Sequence, residues 1–212
     1  MSFRKIFAVI IVLFTLMILS ISEAAPVPVP APVEITLDQL EAAFVGQCPN
    51  ATQGEVISCS DALPYINDAI KKYGLATRGQ RAAYIATMAY EGAYLRYDHN
   101  LVIHSQGTRS ILPASSLRIF IDANKPIQNL WQPSFPKQVN NDTIVDILIE
   151  NHADFEPGAW WTVHGPGCAE VASNLSESLS SFVDWETTCI NGGIDTVDAR
   201  AGIYNNVYAF IV

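Results

Sequence analysis

Apolar residues recur along this chain mostly at helical spacing, three or four positions apart, and rarely in strict alternation. "TLDQLEAAFVG" opens at Thr36, carries Asp38 and Glu41 early and stops at Gly46. "SCSDALPYINDAIKKYG" places Ala62, Ile66, Ile70 and Tyr73 on one face, with Ser60 or Asp61 as cap and Gly74 as stop. "TRGQRAAYIATMAYEGAYLRY", residues 77–97, is the longest periodic segment and is predicted to be the central helix. Residues 98–140 are rich in Pro, Ser, Asn and Gln, and within them "SSLRIFIDAN" reads as helix or strand. "NDTIVDILIENHADF", "CAEVASNLSESLSSFVDWETTC" and "DARAGIYNNVYAFIV" complete a mainly α single domain with long loops.

The N-terminus departs from that pattern. Ile6 to Ile21 is apolar almost throughout, follows Arg4 and Lys5, and ends in Ser22-Glu23-Ala24. This predicts a secretory leader over residues 1–24, its polar end and missing basic flank disfavouring a retained anchor. "PVPVPAPVE" then predicts an extended linker over 25–34, leaving 35–212 as the mature domain.

An oxidising compartment changes how the four cysteines read. Two disulfides are expected, and of three possible connectivities the local one, Cys48–Cys59 with Cys168–Cys189, closes the shorter loops. No C-x-x-C pair exists and the histidines are scattered, so no metal site is expected. Asn50, Asn141 and Asn174 head N-glycosylation triplets. Loss of Arg4, Lys5 and Glu23 takes the formal charge from −9 to about −10, which argues against nucleic acid or an anionic membrane as partner. Neither a βαβ alternation nor a Gly-rich phosphate loop is present, so no nucleotide cofactor is expected. A secreted, extracellular monomer is the expectation.

Candidate chemistry centres on Glu91. Thr87, Met88, Tyr94 and Leu95, one turn away on either side, are uncharged, which puts this carboxyl on or near the apolar stripe. Burial disfavours the ionised form and makes a proton donor, the need of a general acid at a glycosidic bond. A structural glutamate paired with an arginine is the competing reading.

"AAYIATMAYEGAYLRYDHNL", Trp160 and Trp161 in "AWW", and "INGG" followed by "RAGIY" together resemble glycoside hydrolase family 19, chitinases and endolysins of the lysozyme-like superfamily. The resemblance spans roughly residues 78–208, with "INGG" and "RAGIY" as its most specific part. It implies a lysozyme-like fold and hydrolysis of β-1,4-linked N-acetylglucosamine polymers, chitin or peptidoglycan. It also implies Glu91 as general acid, Asn191 as a substrate or water contact, Arg200 as charge partner and Tyr204 beside them. Tyr90 stands where the family has His. "SQGTRSILP" replaces the family's "GRG-x-IQLT", leaving Gly107, Thr108, Arg109 and Ser110 as polar contacts.

The second carboxylate is Asp98, in "DHNL". Seven residues of continued helix would set it about 10.5 Å along the axis from Glu91 on nearly the same face, compatible with an inverting base. An alternative alignment puts His99 at that position, and Asp98 is equally readable as an ordinary turn acid. Among the aromatics Trp160 is a candidate glycan contact, with core as the competing role. Three functions remain open: an inverting hydrolase, a glycan-binding protein that has lost catalysis, and a stapled helical domain in which Glu91 and Arg200 form a buried pair.

Overall fold

A computed structural model describes residues 33–130, 141, 143–190 and 195–211. The expected leader, most of the linker, Trp131 and the Asn191-Gly-Gly turn lie outside the described residues. Among those described the chain is helical without a strand, with only isolated bridges such as His99 to Gly107 and Gly107 to Leu112.

Helix α1, Leu37–Ala43, starts in a capping box in which Thr36 and Gln39 satisfy each other's backbone N–H. Helix α2, Cys59–Tyr73, is capped by Ser58, a turn ahead of the expected Ser60 or Asp61, and stops at Gly74 with φ +68°. A second capping box, Thr77 with Gln80, opens α3, Arg78–Glu91. Gly79 and every residue of α3 from Arg81 to Ala89 are buried, which makes it the central helix.

The expected extension of α3 to Tyr97 is corrected. The helix ends at Glu91, Gly92 caps it, and Ala93, Tyr94 and Leu95 take φ of +45°, +56° and +71°. Left-handed residues of this kind cost energy and persist only where packing holds them. Here Leu95 is fully buried and Tyr94 packs edge-on against Phe44. A Cβ on Gly92 would press on Tyr97 O and Arg109 O, so glycine lets those backbones close over the helix end.

Ala114–Ala123 settles as helix α4, followed by α5, Lys125–Gln128, and α6, Ile144–Glu150. Helix α7, Glu156–His164, packs on α2 and α3. The expected continuous helix over 168–189 is instead three pieces: α8, Cys168–Ser173; α9, Leu179–Trp185; and a π-helical turn, Glu186–Ile190. The break lets Leu175 ride directly over α3, where any side chain on Gly79 would collide with its backbone. Helix α10, Val197–Phe210, lies along α3 and seals the other side of the core.

Both disulfides take the local pairing, with Cα–Cα distances of 5.6 Å for Cys48–Cys59 and 5.4 Å for Cys168–Cys189. The second ties α8 to the π-helical turn. Together with the finding that no helix among the described residues is long and apolar enough to cross a membrane, the pair is compatible with secretion. Asn50, Asn141 and Asn174 are all exposed.

Candidate functional site

Two charged networks meet at the C-terminal end of α3. The first is built on Arg200. Helix α10 carries this buried side chain toward Glu91, and its Nη2 donates to Glu91 Oε1 at 2.5 Å. Its Nε lies 3.2 Å from Glu186 Oε1 but directs its single hydrogen to Thr196 Oγ1 at 3.1 Å. The guanidinium also lies over the Tyr90 ring, 4.1 Å from its centroid. Tyr90, standing where the resembled family has His, is thus a shelf for the cation.

Glu186 is 1% exposed and neither of its oxygens has a hydrogen-bond partner among the described residues. Burial pushes its carboxyl up to about 7, against the pull of Arg200 and with help from the charge of Glu91. Glu91, by contrast, keeps about a quarter of its side chain exposed. The fully sheltered glutamate of this network is Glu186, while Glu91 reaches solvent.

The second network begins in the 97–112 loop. Asp98 is buried at 3% exposure, with Oδ2 3.3 Å from Arg109 Nη2 and Oδ1 2.7 Å from His99 Nδ1. Arg109 is further held by Asp154 Oδ2 at 2.7 Å and by the carbonyl of Glu55 at 2.7 Å. His99 Nε2 lies 3.1 Å from Asp146 Oδ1, so both ring nitrogens face carboxylates. Burial works against charge on His99, but hydrogen bonds to Asp146 and Asp98 and the charges of Asp98 and Glu55 outweigh it and raise its pKa. Glu55, Asp98 and His99 bring donor atoms within 4.8 Å of one another. Asp98 is already spent on Arg109 and His99, so the group reads as a hydrogen-bonded network rather than as metal ligands.

Between the networks opens a pocket of about 270 Å³, lined by Glu91, Tyr97, His99, Asn100, Leu101 and Ile111. Asp98 is not on its wall. It faces a second recess of about 170 Å³ together with Arg109 and Asp154. The expected pairing of Glu91 and Asp98 along one helix is therefore corrected: the helix ends between them, and the group sharing Glu91's pocket is His99.

Other sequence candidates are sorted by burial. Arg109 and Ser110 are buried structural residues rather than open polar contacts; Ser110 Oγ sits where a Cβ on Gly158 would fall. Tyr204 is fully buried, stacks on Phe182 at 4.3 Å and donates to the carbonyl of Ser176 at 2.6 Å. Trp160 packs against Phe120 and Trp161, which settles its position as core. The aromatic wall of the pocket is Tyr97. Glu186 was missed because a regular helix over 168–189 leaves it one polar position among several; the π-helical turn rotates it inward.

No family model matches this chain, and neither a curated protein nor a solved structure matches it.

Glu186 makes stability depend on pH. The folded protein holds its proton more tightly than the unfolded chain, where a glutamate titrates near 4.5. The stabilisation is complete below that value and is lost as pH rises through about 7. His99 and Asp154, both raised, act in the same direction. Urea midpoints are expected to fall from pH 5 to pH 8, and Glu186→Gln to flatten part of that fall. An unchanged slope in the variant would show that Glu186 does not titrate in this window.

Proposed function

We propose that the mature chain is a secreted glycoside hydrolase acting on β-1,4-linked N-acetylglucosamine polymers, chitin or peptidoglycan, on a lysozyme-like helical domain. One observation carries the reading: Glu91 stands at an open pocket while Arg200 bridges it to a buried Glu186 whose oxygens accept no hydrogen bond among the described residues. A carboxylate–guanidinium–carboxylate row is an expensive thing to bury for stability alone. At a reacting bond it fixes the charge and direction of the one carboxylate that reaches solvent. Tyr97 offers an aromatic face, with Leu101 and Ile111 as apolar neighbours, suited to the C–H face of a pyranose. The family resemblance of the Glu91 and Arg200 segments points to the same chemistry.

A second reading, glycan binding without turnover, is favoured by the fate of Asp98. With that carboxylate held by Arg109, no second carboxylate lines the pocket opposite Glu91 among the described residues.

Release of reducing ends from chitin oligomers and from bacterial wall by the mature protein separates the two. Hydrolysis is expected for the wild type, with a loss of about 100-fold in Glu91→Gln. Equal rates in both proteins would remove Glu91 from the site, and tight glycan binding without product would establish the second reading.

A further inference from the structure

Glu91 and His99 face the same pocket, one held by a guanidinium and the other by carboxylates, which is the reverse of the order the resemblance implies. We propose that His99 is the proton donor of this site and that Glu91, ion-paired with Arg200, is the base that activates water. The inference rests on the reading that the pocket cleaves glycosidic bonds.

Glu91 receives Arg200 Nη2–H at 2.5 Å, and the competing acid on the same guanidinium, Glu186, is the one that retains a proton toward neutrality. Below about pH 7, where Glu186 keeps its proton, Arg200's charge belongs to Glu91, whose carboxylate is the acceptor of the pair. Across the pocket, three acidic side chains from separate stretches of chain face His99, while the Gly107 backbone bridged to it carries no charge. Asp146 comes from α6 at 3.1 Å, Asp98 from the adjoining residue at 2.7 Å, and Glu55 from the 53–56 turn at 3.9 Å. Arg109, on the other side of Asp98, is shared with Asp154. Asp98 and Asp154 are two buried negative charges against one buried arginine, and a protonated His99 completes the balance.

Asp98 is then a positioning residue. It takes Nδ1–H from the buried side and leaves Nε2–H outward, where its partner in the free protein, Asp146, is itself 56% exposed on its side chain and replaceable. In the step, the Nε2 proton passes to the glycosidic oxygen as the bond from that oxygen to the anomeric carbon breaks, its electrons leaving with the oxygen. Water bonds to the anomeric carbon from the opposite face and gives its proton to Glu91. Exchange with solvent then restores imidazolium and carboxylate.

Two substrates read the assignment. A chitin oligomer has a poor leaving oxygen that needs the proton, whereas its dinitrophenyl glycoside leaves without one. His99→Gln is expected to lose about 100-fold on the oligomer while staying within a few-fold of wild type on the aryl glycoside. Glu91→Gln is expected to lose both. The wild-type rate on the oligomer should fall as pH rises through the titration of the His99 Cε1–H NMR signal, a limb absent for the aryl glycoside. That limb is read in the unmutated protein, so it stands even if His99→Gln folds poorly. Equal losses of a folded His99→Gln on both substrates, a limb that does not follow the His99 signal, or sparing of the aryl glycoside by Glu91→Gln would overturn the assignment and leave the hydrolase reading standing. A wild type inert toward both substrates would remove the hydrolase reading and the assignment with it.

Discussion

Arg109→Met is expected to destabilise the protein by about 3–5 kcal/mol at pH 8, the size characteristic of stripping a buried ionic network of its counter-charge. The guanidinium holds three acceptors from separate parts of the chain: Asp154 Oδ2, Asp98 Oδ2 and the carbonyl of Glu55. Methionine fills much of the same volume but leaves two buried carboxylates facing each other. They have one escape, which is to bind a proton. Burial already raises the pKa of Asp154 in the wild type, and Arg109 is the largest influence opposing that rise. Removing Arg109 leaves only a backbone hydrogen bond opposing the rise, so the loss should shrink as pH falls from 8 to 5. Asp154→Asn added to Arg109→Met should recover part of the deficit by removing one unpaired charge. Urea unfolding of the two variants at both pH values checks this. A loss below about 1 kcal/mol at pH 8 would place the network among pairs that contribute little, contrary to its burial.

How far the sequence reading reached depends on how local the physics was. Thr36 and Gly74 act within a few residues of themselves, and each sits at the helix boundary its chemistry predicts, whereas α1 ends at Ala43 with Phe44 as its cap, ahead of the expected stop at Gly46. The disulfide pairing follows from short-loop closure in the same way. What failed was non-local. Tyr94 and Leu95 continue the helical period of α3 in sequence, and both pack into the core. They do so through three left-handed residues held by Phe44, Ile57 and the closing 97–112 loop. Periodicity sees that two residues are buried, not that the chain has turned to bury them. The error carried directly into the site, because the expected Glu91–Asp98 geometry assumed a continuous helix. Glu186 was hidden for a related reason: a one-residue change in register at the π-helical turn moves an ordinary polar position to the centre of the molecule. Arg200 was read as a charge partner of Glu91 only through the family resemblance; the packing of α10 along α3, which brings the two side chains together, is not written in either segment alone. Tyr204 lies one turn further along the same helix and was read with Arg200, yet its face looks into the core.

Arg200→Met is expected to cost about 3–5 kcal/mol at pH 8, and the way the loss is rescued separates catalysis from architecture. The variant removes the counter-charge of Glu186, a side chain with no hydrogen bond to either oxygen, while Glu91 can turn to solvent. Nearly all of the deficit should therefore trace to Glu186. Below about pH 5 that carboxyl is protonated in both proteins, and the difference between them should narrow accordingly. Adding Glu186→Leu to Arg200→Met replaces a buried ion pair by apolar groups of similar bulk, an exchange that is often neutral or stabilising. The double variant should regain most of the wild-type midpoint. If the row of charges exists for stability, the recovered protein should bind and process glycan as the wild type does. If it exists to hold Glu91 charged and directed at the pocket, the double variant should be as well folded as the wild type and still release no reducing ends. A stable and fully active double variant would return Glu91 and Arg200 to the role of a buried structural pair.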